Sequence, residues 1–267
     1  MKSHHDLLST AKDAAEIGGK IILNGFRGLK KSQVRIKGSG DWVTDLDHRS
    51  EAAIIRRIRK SFPDHSIQAE ESGIGEGHSD VRWFIDPLDG TTNYVHGIPV
   101  FSVSIAAAVD GETVAGVVLD PVHDEMFWSV KGGGAFRNRS RIRVSDKKSL
   151  SECFFSSGFP WRSKRYLRPY LDSFEEIFDA SAGIRRMGSA AIDLAYTACG
   201  RYDGFWEMKL KPWDVAAGVL IVREAGGIVS DFRGGQNFME TGNLVAANRA
   251  VYPQMLRIVK KHLKGVE

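Results

Sequence analysis

The segment Trp83-Phe84-Ile85-Asp86-Pro87-Leu88-Asp89-Gly90-Thr91-Thr92-Asn93 constrains this chain most, because an apolar run breaks there into two carboxylates, a proline, a glycine and two hydroxyls. Val81 to Ile85 reads as a buried strand, and Pro87, with no N–H for a ladder, stops that strand at Asp86. The acids then stand at a strand end. Asp-Pro-Leu-Asp turns the chain so that both carboxylates face one point. Gly90 lets backbone approach a ligand, and Thr91 or Thr92 opens a helix whose first amides attract anions. Hard cations such as magnesium take oxygen ligands, commonly one or two carboxylates with phosphate and water, so one segment can supply metal ligands and phosphate donors. A hairpin turn is the plainer reading, since Asp-Gly is a common turn pair, but a turn seldom needs both acids and both hydroxyls.

Length and composition allow such a site a substantial core. The 267 residues suit one large domain or two fused halves, and 42% hydrophobic with 26% charged residues argues against disorder. No uninterrupted apolar stretch is long enough to span a bilayer, and Met1 to Asp6 lacks the layout of a secretory signal, so a cytoplasmic protein without membrane contact is expected. Cys153 and Cys199 are too few for a disulfide framework or a thiolate metal cage and read as small packed hydrophobes. The formal charge of +4 is mildly basic. Its concentrations at Arg56 to Lys60, Arg162 to Arg168 and Arg257 to Lys264 read as solvated helix faces, compatible with anionic substrates without establishing them.

Periodicity lays out the elements. Leu7 to Phe26 and Asp47 to Phe62 read as amphipathic helices, the second closed by Pro63. Phe101 to Val109, a hairpin signal at Asp110-Gly111, Thr113 to Leu119 and Glu125 to Val130 predict an antiparallel meander. Gly132-Gly133-Gly134 lacks the strand and helix of a dinucleotide loop and reads as a turn. The second half opens near Ser149 with an apolar stretch at Cys153 to Ser156. Helices are expected around Tyr166 to Phe178, Ala190 to Cys199, Trp213 to Ala225 and Tyr252 to Leu263, with strands at Gly204 to Glu207 and Ile228 to Asp231. Residues 1–148 and 149–267 are expected as two intimately packed halves of one catalytic unit.

Further acids sit at element ends. Glu70-Glu71-Ser72-Gly73 follows the strand-like Ser66 to Ala69, Asp214 stands in the first turn of a helix, and Lys37 to Asp47 brings more acids ahead of another helix. Singly, each suits a cap or a surface position. Together, Asp86-Pro87-Leu88-Asp89-Gly90-Thr91-Thr92-Asn93, Trp213-Asp214-Val215-Ala216-Ala217-Gly218, Glu70-Glu71-Ser72 and Asp41 to Asp47 occur in an order that resembles the inositol monophosphatase family. That family lies within the lithium-sensitive, magnesium-dependent phosphatases that include fructose-1,6-bisphosphatases. The resemblance covers nearly the whole chain. It implies an α/β fold, a layered α/β/α/β/α sandwich with largely antiparallel sheets, and a homodimer.

The resemblance also assigns roles. Glu70, Asp86 and the Leu88 carbonyl would hold one Mg2+, and Asp86, Asp89 and Asp214 a second, with a third, weaker ion on Glu70. The metals would neutralise phosphate, acidify a water and stabilise the leaving oxygen. Thr91 with Asp47 would orient and deprotonate that water, while the amides of Gly90 and Thr91 hold phosphate. Glu207 would bind sugar or inositol hydroxyls, beside a contact loop at Gly188, Ser189 and Ala190. Asp193 lies near that loop, and Arg185 or Arg186 could reach phosphate or a subunit partner. The expected reaction is hydrolysis of inositol monophosphate to inositol and phosphate. The alternatives are fructose-1,6-bisphosphate or another sugar phosphate as substrate, or an additional role with RNA or the transcription machinery. An aspartyl nucleophile of the Asp-x-Asp-Gly-Thr kind is opposed by the two residues between Asp86 and Asp89.

Overall fold

Helix α1 (His4–Phe26) begins on a capping box in which the Asp6 amide donates to Ser3 Oγ and the Ser3 amide donates to the Asp6 carboxylate. The cap starts the helix before its first apolar residue, Leu7. The computed structural model describes residues 3–38 and 41–266. Ser39, Gly40 and the side chains of Lys37, Asp41 and Arg162, which fall in segments noted above, lie outside the described residues. A short antiparallel pair, β1 (Val34–Gly38) and β2 (Asp41–Thr44), leads into helix α2 (Asp45–Ser61). Thr44 caps α2 by accepting from the amides of Leu46 and Asp47, which moves its start two residues ahead of the expected Asp47. A side chain on Gly18 would meet Ile54 at 2.7 Å, so the two helices cross closely there.

Strands β3 (Ser66–Ala69), β4 (Gly73–Gly75) and β5 (Val81–Asp89) are followed by a short helix α3 (Thr91–Val95). Next come β6 (Ser102–Val109), β7 (Glu112–Asp120), β8 (Glu125–Val130), β9 (Gly134–Arg137) and β10 (Ser140–Ile142). They form an eight-stranded sheet in the order β10-β9-β8-β7-β6-β5-β3-β4, antiparallel except for the β3–β5 pair. Asp110 and Gly111, both at positive φ, make the two-residue turn between β6 and β7, and residues 131–133 form the turn before β9. The meander is as the alternation predicts.

The second half contributes β11 (Phe154–Ser157), α4 (Leu167–Ala180), β12 (Gly183–Arg185), α5 (Ala190–Ala198), β13 (Gly204–Glu207) and α6 (Pro212–Glu224). It ends with β14 (Ile228–Ser230), α7 (Phe238–Thr241), β15 (Leu244–Ala247) and α8 (Tyr252–Leu263). Its sheet runs β12-β11-β13-β15-β14, mixed parallel and antiparallel. One face of the large sheet packs on α1 and α2, the other on α5 and α6, which in turn meet the smaller sheet; α4 and α8 pair outside it. The layers are therefore α/β/α/β/α. Small residues bring the middle layer close. A Cβ on Gly116 would lie 3.0 Å from Ala217 Cα, and one on Gly218 would lie 2.6 Å from Leu194 Cβ, so the Ala216-Ala217-Gly218 run lets α6 seat between the large sheet and α5. Among the described residues no helix is long and apolar enough to cross a membrane.

Strand β5 corrects one expectation. It does not stop at Asp86 but runs through Pro87 and Leu88 to Asp89. Asp86 pairs with Ser104 and Asp89 with Ser102, so the strand carries one extra residue there, a β-bulge. Proline is tolerated because a bulge withdraws its residue from the ladder, and the Leu88 amide donates to Asp86 Oδ1 at 3.0 Å instead.

Candidate active site

The bulge has a chemical consequence. Residues three apart on a regular strand point to opposite faces, whereas Asp86 and Asp89 sit opposite Ser104 and Ser102, two apart on β6, and so share one face. Gly90 follows at φ 96°, where an L side chain is strained and a Cβ would stand 2.9 Å from the Val100 carbonyl oxygen. From that turn α3 starts, with Thr91 in its first position. Asn93 then donates from Nδ2 to the carbonyls of Val100 and Met187, 2.8 Å each, tying this motif to the Gly188-Ser189-Ala190 loop.

Glu70, Asp86, Leu88, Asp89 and Asp214 all line one cavity of about 340 Å³, together with Gly90, Thr91, Gly188, Ala190 and Glu207. Asp89 Oδ2 accepts from Ser189 Oγ at 2.6 Å and from the Ala191 amide at 2.8 Å, which fixes its carboxylate. Ser189 itself is buried behind the cavity wall as the N-cap of α5, its hydroxyl accepting from the Ile192 amide. Asp214 Oδ2 accepts from the Lys211 amide at 2.7 Å, so Asp214 caps α6 and faces the cavity at once. Ser104 Oγ donates to the Trp213 carbonyl at 3.0 Å and joins that helix start to β6.

Asp47 lies just behind these groups, fully buried. Its Oδ2 accepts from the Thr44 amide and hydroxyl at 2.9 and 2.6 Å, and its Oδ1 lies 3.2 Å from Thr91 Oγ1. The single Thr91 hydroxyl proton also has the Leu88 carbonyl in reach at 2.9 Å. Burial pushes the Asp47 carboxyl up to about 6, with the hydrogen bonds from Thr44 opposing and the Glu71 charge reinforcing the rise. Asp86 is held well above the usual carboxylate range, first by burial and then by the charges of Glu70, Asp89 and Asp214.

That crowding tests the fit of a cation. Among the described residues no three acidic, histidine or cysteine side chains are already gathered as a finished metal cluster. Yet Asp86 feels three neighbouring carboxylates, and all four acids face the same space. Oxygen-only donors whose mutual repulsion is relieved by positive charge suit a hard divalent ion. The residues present fit magnesium.

Glu207 also lines the cavity. A Cβ on Gly158 would fall 2.0 Å from the Glu207 carboxylate carbon, so Gly158 is the cradle in which that carboxylate lies. Asp193 is buried beside it, and burial first, then the Glu207 charge, raises its carboxyl well above the usual range. Of the two arginines, Arg186 lines the cavity, whereas Arg185 lies over the Phe154 ring at 4.5 Å. Trp42, Thr92, Gly158, Phe159, Trp161 and Leu210 complete the wall. The sequence did not single out Gly158, Phe159 or Trp161, although Gly158 and Phe159 follow strand β11 as a strand-end loop, the same signal that marks Glu70, and Trp161 opens the 3-10 helix after it.

The model of the inositol monophosphatase family matches residues 3–264. Nus factor SuhB of Escherichia coli strain K12 is 47% identical over 260 residues, covering 97% of each chain. Inositol-1-monophosphatase of Mesorhizobium japonicum is 43% identical over 260 residues, covering 97% of this chain and 98% of its own. Among solved structures, the extragenic suppressor protein suhB from Bartonella henselae has a TM-score of 0.93 and 40% identity, over 97% of this chain and 100% of that one. The chain belongs to the inositol monophosphatase family.

Proposed function

We propose that the protein is a magnesium-dependent phosphomonoesterase that hydrolyses inositol monophosphate to inositol and phosphate. The observation that carries this reading is the meeting of Glu70, Asp86, Asp89 and Asp214 with the Thr91–Asp47 pair and Glu207 around one cavity. Glu70, Asp86, the Leu88 carbonyl, Asp89 and Asp214 would hold magnesium, with Asp86 shared between two ions. Bound there, magnesium would neutralise the phosphate and make water more acidic. The chain's own groups do the rest. The Gly90 and Thr91 amides hold phosphate oxygens. Thr91 Oγ1 orients the attacking water and passes its proton toward Asp47 Oδ1, 3.2 Å away. The new P–O bond forms as the ester P–O bond breaks, and the departing alcohol oxygen takes a proton from solvent. Glu207, seated over Gly158, accepts hydroxyl protons of the polyol and sets its orientation.

A panel of phosphate monoesters compared by kcat/KM with magnesium, with and without lithium, tests this. Inositol monophosphate should lead the panel. No phosphate release from any small polyol phosphate would sink the reading, and a sugar phosphate in first place would move the substrate to that class. The family resemblance supports a homodimer, which light scattering would report as twice the 29.5 kDa chain mass. A second role is favoured by the name of the Escherichia coli relative, a Nus factor, which supports contact with the transcription machinery. Salt-sensitive RNA binding that persists in Asp89→Asn would support that role, and no binding at moderate salt would remove it.

A further inference from the structure

The inner face of α2 buries Leu46, Ile54 and Ile58 as an amphipathic helix should, but between Leu46 and Ile54 it buries three polar side chains. Asp47, Ser50 and Glu51, spaced i, i+3 and i+4, are 0, 0 and 4% exposed. Each grips a different segment of the centre. Asp47 faces Thr91, Ser50 Oγ donates to the Pro87 carbonyl inside the bulge at 3.1 Å, and Glu51 reaches the loop that carries Glu70. There Glu51 Oε2 accepts from the Glu71 amide at 2.8 Å and Oε1 from the Ser72 amide at 2.9 Å.

Glu70, Glu71 and Ser72 form the whole connection between β3 and β4, and β4 is a three-residue strand at the sheet edge. The β3–β4 ladder meets this loop at its ends, where Ala69 pairs with Gly73. On one side of Glu70 its own amide donates to the carbonyl of Ile85, the residue before Asp86, at 3.1 Å. On the other side the next two amides end on Glu51. The backbone of Glu70 is therefore clamped between the strand that bears Asp86 and the helix that bears Asp47. Two adjacent amides call for a group with two acceptor oxygens and no donor, which a carboxylate is and a carboxamide is not.

We propose that Glu51 is a positioning residue: by holding the amides of Glu71 and Ser72 it keeps Glu70 beside Asp86, in the arrangement needed to take a divalent cation. This rests on the magnesium-centre reading above. Replacing a group that orients a metal ligand typically weakens metal affinity by about 10- to 100-fold. In Glu51→Gln, one of the two amides would face an NH2 group and lose its acceptor; in Glu51→Met both would.

The test uses the full chain as wild type, Glu51→Gln and Glu51→Met, with folding checked by circular dichroism. Magnesium binding to metal-free protein is measured by calorimetry, and magnesium activation by phosphate release from inositol monophosphate. The expected result is a magnesium dissociation constant and a half-activating concentration both raised about tenfold in Glu51→Gln and further in Glu51→Met, with kcat at saturating magnesium preserved. Should Glu51→Met not fold, the near-isosteric Glu51→Gln decides alone. Variants that melt earlier yet bind magnesium as wild type does would show Glu51 to be merely structural and overturn the proposal. So would a fall in kcat at saturating magnesium with an unchanged magnesium constant. A wild-type protein that neither binds magnesium nor releases phosphate contradicts the magnesium-centre reading itself, and the two failures are thereby told apart.

Discussion

Burial sets the character of Asp47: its carboxyl rises from the ordinary 3.8 to about 6 although Thr44 and Thr91 donate to it. The folded chain thus holds this proton more tightly than the unfolded chain does. The resulting stabilisation is fully present below about pH 4 and is lost as pH rises through about 6, a difference of roughly 3 kcal/mol. Asp47→Asn removes that titration, so urea unfolding of metal-free protein should show wild type losing stability relative to the variant between about pH 4 and 7. A constant difference across that window would contradict the burial argument. In activity the same variant should lose about 10²- to 10⁴-fold in kcat, the usual contribution of a positioned base. Gly158 makes a second residue-level claim. Its φ lies outside the left-handed region, so its need for glycine is purely the space taken by Glu207. Gly158→Ala should raise KM for inositol monophosphate while sparing an aryl phosphate that offers no hydroxyls to Glu207, and equal losses on both substrates would refute it.

Elements show what local sequence can and cannot specify. Helices α1, α2, α4 and α8 were legible because each repeats its apolar face over several turns, α5 and α6 because a largely apolar run ends at glycine, and the β6–β7–β8 meander because it alternates around a strong turn pair. Strands β1, β2, β4, β9, β10, β12 and β15 escaped notice. With three to five residues each, they show too little alternation to declare a period. Pro87 was misread as a terminator because the bulge exists only through pairing with β6, a tertiary fact. The acids of the site were visible as carboxylates at strand and helix ends. The clamp from Glu51, the brace from Asn93 and the cradle at Gly158 were not, since each acts on a segment distant in sequence. Helix α6 offers an element-level test. With its Cβ only 2.6 Å from Leu194, Gly218→Ala overpacks the α5–α6 contact, and a loss of about 1–3 kcal/mol is expected in chemical denaturation. An unchanged midpoint would mean that the helices separate freely.

At the scale of the molecule, α6 belongs by sequence to the second half yet packs on strands of the first, and it carries Asp214 to the acids of β5. The centre thus lies where the layers meet, and burial together with the neighbouring carboxylates raises the Asp86 carboxyl there, a repulsion that a bound cation would relieve. Magnesium at about 100 times its dissociation constant should add roughly 2.7 kcal/mol at neutral pH, raising the melting temperature by roughly 5–10 °C over protein in chelator, in one cooperative transition. No shift with magnesium would deny the ion a place in the folded state. The central claim is that the four carboxylates form a magnesium-dependent phosphatase centre, and Asp86, buried among the other three, is its most exacting member. The most direct measurement is phosphate release from inositol monophosphate by wild type and by folded Asp86→Asn, each with magnesium and with chelator. The account predicts release by wild type that requires magnesium and falls by at least about a hundredfold in the variant. Release that survives the chelator, or that Asp86→Asn leaves intact, would contradict it.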